Sequence, residues 1–240
     1  MRIFAAMAFR FKQFSVEDTA CTMKVGTDSV LLGAWAAVNG SSKILDIGTG
    51  CGILALMAAQ RSGAGIIGID IDTASVEAAH INFSRSPWSE RLTAFNLSLQ
   101  DFCSKNPPQF DHILTNPPFF INSLKAPLPS RNRARHNDEL PFPELAKHCR
   151  QLLKPEAKLS LVLPVQEAAL FLNTARENGL YLSRTLEIRP YTHRPVNRML
   201  MEFRRNPANE TATDRLGIRG EDNSYTPEYR NLTKNFYLNF

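Results

Sequence analysis

The tetrapeptide Asn116-Pro117-Pro118-Phe119 is where residue type and order point most directly to a reaction. It follows Asp111 to Thr115, within an apolar run that reads as a strand. Two consecutive prolines cannot continue inside a sheet, so the chain must leave it there. Pro118 drives Pro117 into an extended conformation, and neither proline carries an N–H. The result is a stiff hook that presents acceptors: the side-chain carbonyl of Asn116 and the main-chain carbonyl of Pro117. An amino group on a planar sp2 carbon is a poor nucleophile because its lone pair is delocalised. If two fixed carbonyls accept its two hydrogens, the nitrogen can pyramidalise and its lone pair is released for attack. Phe119 offers a face on which a flat ring can stack, worth about 1–3 kcal/mol for a base. No general base is needed, since the positive product loses its proton readily. Adenine N6, guanine N2 and a glutamine side-chain amide all present such a group, and the tetrapeptide does not choose among them. Isolated from its neighbours, it also reads as a turn with a packed aromatic.

A second constellation lies upstream. Asp46-Ile47-Gly48-Thr49-Gly50-Cys51-Gly52 follows an apolar strand and opens a helix, with glycines at alternate positions. Glycine lets a ligand approach the main chain closely. Ile53 stands where a dinucleotide fingerprint needs its third glycine, which argues against NAD or FAD. The pattern resembles the first motif of class I methyltransferases, in which the loop wraps S-adenosyl-L-methionine. Gly68-Ile69-Asp70-Ile71-Asp72 ends the next strand, where the Asp70 carboxylate can accept both ribose hydroxyl protons. Asp72 reads as the N-cap of the following helix. Asp101-Phe102 follows a third strand, where the carboxylate can accept from the adenine amine and the ring can pack on the base; a simple turn aspartate is the alternative. The cofactor ligands expected from the loop onward are Asp46, Gly48, Gly50, Gly52, Asp70, Ile71, Asp101 and Phe102.

These segments must be carried by alternating strands and helices. Periodicity and punctuation predict strands at Lys43 to Ile47, Gly65 to Ile69, Leu92 to Asn96, Asp111 to Thr115, Leu159 to Leu163, Tyr181 to Ile188 and Met199 to Phe203. Helices are expected at Ile53 to Gln60, Thr73 to Ser84, Phe142 to Leu153 and Gln166 to Asn178, the last stopped by Gly179. Before them, Phe9 to Lys24 reads as a short hairpin leading into a helix, Ser29 to Ala37, capped by Thr27 or Asp28. After them, Asn206 to Phe240 is polar with a late aromatic cluster. The β-α-β rhythm implies an α/β fold with a doubly wound, mostly parallel, Rossmann-like sheet, and ligands beyond the carboxyl ends of its strands. With 240 residues, 43% of them hydrophobic, one domain is expected: a hairpin and helix over 1–40, a core over 41–204 and a C-terminal extension over 205–240.

Longer stretches narrow the chemistry. Phe11-Lys12-Gln13-Phe14 and Met23-Lys24-Val25-Gly26-Thr27-Asp28-Ser29-Val30-Leu31-Leu32-Gly33-Ala34-Trp35 resemble the opening of bacterial tRNA1(Val) adenine-37 N6-methyltransferases. So do Asn116 to Phe120 followed by Ala134-Arg135-His136, and the closing Tyr225 to Leu238. The resemblance spans nearly the whole chain. It implies transfer of a methyl group from S-adenosyl-L-methionine to the adenine beside the anticodon of a tRNA, with Lys24, Thr27 and Asp28 helping to close the cofactor pocket.

Charge agrees with an RNA partner. Residues 1–120 carry 9 Lys+Arg against 10 Asp+Glu, while residues 121–240 carry 19 against 13. Residues 121–136 hold Lys125, Arg131, Arg133 and Arg135 and no acid, and residues 189–205 hold Arg189, Arg194, Arg198, Arg204 and Arg205 against Glu202 alone. Arg131, Arg133, Arg135, His136, Arg194 and Arg198 are therefore the expected RNA contacts, with surface solubility as the alternative for any one arginine. Cys21, Cys51, Cys103 and Cys149 form no Cys-x-x-Cys pair and no metal-ligand spacing with histidine, so neither a metal nor a disulfide is expected. Arg10 and Lys12 follow the apolar Ile3 to Phe9, and no apolar run approaches the ~20 residues of a membrane span. A cytoplasmic protein with no membrane contact and no obligate protein partner is the expectation.

Overall fold

The computed structural model describes residues 8–19, 21, 24–118, 140–207 and 210–239. A two-stranded antiparallel hairpin, β1 (Phe9–Arg10) and β2 (Ser15–Val16), precedes helix α1 (Thr27–Trp35). Then β3 (Lys43–Ile47), α2 (Ile53–Arg61), β4 (Gly65–Asp70), α3 (Thr73–Ser84), β5 (Leu92–Asn96), α4 (Leu99–Ser104) and β6 (Phe110–Thr115) come in strict alternation. Helix α5 (Phe142–Leu152) leads without a turn into β7 (Leu153–Pro164), and after it come α6 (Val165–Glu177), β8 (Tyr181–Tyr191), β9 (Arg198–Arg204), β10 (Ala212–Arg219) and α7 (Pro227–Thr233).

The eight-stranded sheet has the order β10-β8-β9-β7-β6-β3-β4-β5. Every neighbouring pair is parallel except those made by β9, which runs against both β7 and β8. The chain winds outward from β3 through β4 to β5, then returns to lay β6 on the other side of β3. The winding reverses between β3 and β6, so the loops after those two strands bound the crevice where such sheets bind ligands. Strand residues alternate between two cores. Ile44 packs with α1, α2 and α3 on one face, while Leu45 and Ile47 pack with α4, α5 and α6 on the other.

Local chemistry accounts for the boundaries. Asp72 caps α3 by accepting from the Ser75 amide at 3.2 Å, as its position predicts. Gly179 has φ of 72°, and the Leu180 amide reaches back to the Ala175 carbonyl at 2.9 Å, the hydrogen bond that closes a Schellman motif at the end of α6. The expected cap of α1 is not there. The N-cap is Gly26 in an extended conformation with no side-chain hydrogen bond, and Thr27 and Asp28 lie inside the first turn.

The polar tail is more ordered than its composition suggests. Ala212 to Arg219 adds the eighth strand to the sheet, and Thr226 caps α7 by accepting from the Tyr229 amide at 3.1 Å, with Pro227 in its first turn. The segment beyond α7 packs on the hairpin. The Lys12 amide donates to the Phe236 carbonyl at 2.8 Å, Lys12 Nζ to the Lys234 carbonyl at 2.6 Å, and the Phe11 and Tyr237 rings stack at 5.9 Å.

Candidate active site

The loop after β3 is pinned from below and open above. The Gly48 and Thr49 amides donate to the Ile69 carbonyl at 2.9 and 3.0 Å, and the Gly50 amide donates to Asp70 Oδ2 at 2.8 Å. Gly48, Gly50 and Gly52 have φ of 69°, 53° and 84°, a region that strains any residue with a Cβ. Their surroundings differ. A Cβ on Gly48 or Gly50 would meet nothing within 4 Å, whereas one on Gly52 would run into the Phe83 ring. Gly52 therefore serves packing against α3, and Gly48 and Gly50 leave room for a ligand over the main chain.

Two carboxylates sit beneath this loop. Asp46 is fully buried; Thr49 Oγ1 donates to its Oδ2 at 2.7 Å, and Oδ1 has no partner among the described residues. Burial pushes its pKa up to about 7. Asp70 ends β4 and accepts from the Asp72 amide at 3.0 Å as well as from Gly50. Its pKa is also raised, first by burial, although the Asp72 and Gly50 amides oppose the shift. Ile71 beside it is 47% exposed, an apolar side chain left uncovered at the mouth of the crevice.

Asp101 and Phe102 lie in α4 instead of in a turn. Ser98 caps α4, its Oγ accepting from the Asp101 amide at 3.0 Å and donating to Asp101 Oδ2 at 2.6 Å. The Phe102 ring is buried in the core against Phe110, so it cannot pack on an adenine as expected from its position after β5.

The hook after β6 stands across the crevice from the loop. Thr115 Oγ1 donates to the Ile47 carbonyl at 2.9 Å and locks the end of β6 to the end of β3. Asn116 Nδ2 donates to Ser29 Oγ of α1 at 3.0 Å, while Asn116 Oδ1 is buried with no hydrogen-bond partner among the described residues. A buried amide oxygen without a partner is costly unless a ligand supplies the donor. Pro117 is buried and Pro118 exposed. Phe119, Arg131, Arg133, Arg135 and His136 lie outside the described residues.

The remaining candidates are dispersed. Lys24 Nζ donates to the Asp18 carbonyl at 2.6 Å, and Thr27 is exposed at the start of α1. Arg194 is exposed in the turn between β8 and β9, at the carboxyl end of β8. Arg198 and Asp28, expected to meet RNA and cofactor respectively, pair with each other: Arg198 Nε donates to Asp28 Oδ2 at 2.8 Å. Ser29 and Thr49 are site residues that sequence reasoning passed over. The hydroxyl of Thr49 stands three residues from Asp46 within the motif, but the contact of Ser29 spans 87 residues and leaves no local signal.

Comparison with known proteins sharpens this geometry. Residues 21–128 match the methyltransferase small domain family model. A tRNA1(Val) (adenine(37)-N6)-methyltransferase of Parabacteroides distasonis is 41% identical over 230 residues, 96% of this chain and 97% of its own. Those of Phocaeicola vulgatus, 44% identical over 232 residues, and Shewanella baltica, 41% over 238 residues, are covered to 97% and 100% and match 96% and 98% of this chain. The chain belongs to the tRNA1(Val) (adenine(37)-N6)-methyltransferase family. Solved structures share the fold at lower identity. A predicted O-methyltransferase of Agrobacterium tumefaciens superposes with a TM-score of 0.65 at 17% identity, over 87% of this chain and 96% of that one. A T. thermophilus 16S rRNA N2 methyltransferase in complex with AdoMet and guanosine gives 0.59 at 18% identity, over 84% and 50%.

Proposed function

We propose that this protein transfers a methyl group from S-adenosyl-L-methionine to the N6 amine of an adenine in tRNA, adenine 37 beside the anticodon of tRNA1(Val). The observation that carries the reading is the Asn116 amide, whose nitrogen is held by Ser29 while its oxygen is buried and unpartnered among the described residues. That oxygen accepts one hydrogen of the exocyclic amine, and the Pro117 carbonyl accepts the other. Two acceptors with no competing donor leave the nitrogen lone pair as the one electron pair aimed out of the ring plane.

The residues around the loop fit the cofactor. Open space over Gly48 and Gly50 admits a ligand against the main chain, Asp70 keeps lone pairs for a ribose diol beyond the two amides it already accepts, and Ile71 gives an apolar edge for the base. Bound there, S-adenosyl-L-methionine supplies an electrophilic methyl group on a sulfonium. The chain's contribution is to fix the nucleophile, strip it of water and hold its two hydrogens.

The basic segment with Arg131, Arg133 and Arg135, and exposed Arg194, supply phosphate contacts that keep an anticodon loop in register, while Phe119 stacks on the extruded base. Among the described residues no helix is long and apolar enough to cross a membrane. A cytoplasmic location belongs to the same proposal, supported by the tRNA substrate. The test is mass spectrometry of nucleosides from total RNA incubated with the protein and isotopically labelled cofactor. Label in N6-methyladenosine, mapped to position 37 of one tRNA, is the expected result. Label in N2-methylguanosine, or in protein, overturns it.

A further inference from the structure

The first turn of α1 is held from outside the helix. Its N-cap, Gly26, makes no side-chain hydrogen bond, so the turn lacks the usual local fastening. Asp28 in that turn receives Arg198 Nε at 2.8 Å across 170 residues of chain, and both side chains are largely buried, 24% and 28% exposed. Arg198 opens β9, where it is paired in the sheet with Pro164 of β7 and Ile188 of β8, and its Nη1 donates to the Asn197 carbonyl at 3.0 Å. The guanidinium is thus anchored on the reversed strand and directed at α1. The residue after Asp28 is Ser29, whose Oγ accepts Asn116 Nδ2 at 3.0 Å. Arg198, Asp28, Ser29 and Asn116 form one continuous line from β9 through the start of α1 to the hook after β6.

The end of that line is sensitive to small errors. An asparagine amide has nearly the same shape when turned by half a revolution, but the turned form offers N–H donors where the carbonyl stood, and donors repel an amine. Ser29 Oγ can pair with either form, so its contact does not choose between them; it fixes where the amide sits against the crevice, and this requires the first turn of α1 to stay where it is. A displacement of about 1 Å in such a positioning element can cost on the order of a hundredfold in rate.

We infer that Arg198 is a positioning residue for methyl transfer: through Asp28 it fixes the first turn of α1, and through Ser29 the place of the Asn116 amide, in place of binding RNA phosphate. The inference rests on the role given to Asn116 under Proposed function. It separates Arg198 from the exposed Arg194, with which sequence reasoning grouped it.

Five variants test it on the full chain with tRNA. For Arg198→Ala, kcat at saturating tRNA and cofactor is expected to fall about tenfold or more. The salt dependence of tRNA binding should stay at the wild-type slope. Arg198→Lys, which keeps the charge, should recover part of the rate. Ser29→Ala should lower kcat similarly with little change in either KM. The Arg198→Ala/Ser29→Ala double variant should be no slower than the worse single one, since both act on one amide. If Arg198→Ala does not fold, Arg198→Lys and Ser29→Ala carry the comparison. A normal kcat with a salt slope smaller by about 0.9 makes Arg198 a phosphate contact and overturns the inference. Normal kcat with a normal slope, or multiplicative losses in the double variant, overturns it as well. Asn116→Ala separates the two readings. Retained turnover there removes the role given to Asn116 and this inference with it, whereas lost turnover beside a normal Arg198→Ala removes this inference alone.

Discussion

Asp46 and Asp111 sit on neighbouring strands of one sheet, Asp46 toward the carboxyl end of β3 and Asp111 at the amino end of β6, and their environments are opposite. Asp111 is saturated with donors: the Ser42 amide at 3.0 Å, Ser42 Oγ at 2.7 Å, the Lys43 amide at 2.9 Å and Lys154 Nζ at 2.6 Å. Burial works to raise its pKa, but the Lys154 and Ser42 hydrogen bonds outweigh it and hold the carboxyl well below the usual carboxylate range. Asp46 has one side-chain donor, Thr49, an oxygen with no partner among the described residues, and a pKa pushed up to about 7 by burial. Asn116, at the same end as Asp46, also keeps an oxygen unpartnered among the described residues. At Asp111 the amino end of the sheet uses every acceptor on the fold itself, whereas at Asp46 and Asn116 the carboxyl end leaves acceptors unpartnered among the described residues.

The sharpest way to break that contrast is Asn116→Ala. Turnover should fall on the order of a hundredfold or more, with cofactor affinity within about twofold, because the lost acceptor acts on the nucleophile. Single-turnover methylation beside calorimetric cofactor binding measures both, and activity within about threefold of wild type contradicts the assignment. Next comes Asp70→Ala against Asp72→Ala. The first should weaken cofactor binding about ten- to a hundredfold through loss of a charged acceptor, while the second should leave affinity nearly intact and lower the melting temperature through loss of a helix cap. Equal losses in affinity would reject Asp70 as the ribose ligand.

At the other end, Asp111→Ala should cost stability, about 2 kcal/mol, with kcat unchanged. Its folded pKa is depressed, so its contribution is fully present above the unfolded pKa, declines below it and is lost as pH falls through the folded pKa; denaturant titrations at pH 7 and near pH 3 should show the variant's deficit shrinking. The smallest effect has the opposite sign. Asp46 has a raised folded pKa, so between about pH 4 and pH 7 the folded state binds the extra proton, and this residue's contribution declines as pH rises through that window. Asp46→Asn should flatten the decline in the ligand-free protein. A variant that follows the wild-type pH curve would show that Asp46 is solvated in a way its burial denies.

Legibility in the sequence followed the same division. The run from β3 to β5 was readable almost residue by residue, because β3 and β4 are apolar runs, α2 opens at the glycine loop and α3 carries its own cap at Asp72. Helix α4 was missed although Ser98 and Asp101 stand at capping-box spacing, since six residues give too little periodicity. The amino half of β7 was missed because Lys154, Pro155 and Glu156 are polar or strand-breaking and no turn residue divides α5 from β7. β10 was missed because an edge strand with one buried residue, Leu216, shows no alternation to find. In the site, the loop glycines and the hook were visible as local patterns. The Ser29 to Asn116 and Arg198 to Asp28 contacts were not, since each joins residues that only the winding of the sheet brings together.

The closure of Lys12 on Phe236 sets an order of events during synthesis. The ribosome makes the hairpin early and the segment after α7 late, at roughly 5–20 residues per second, so the hairpin waits on the order of tens of seconds for the strip that covers it. Through that interval the Phe11 ring, buried in the finished protein, lacks the stacking partner that Tyr237 provides. A ring made among the first residues of this sequence is thus covered by one made more than two hundred residues later.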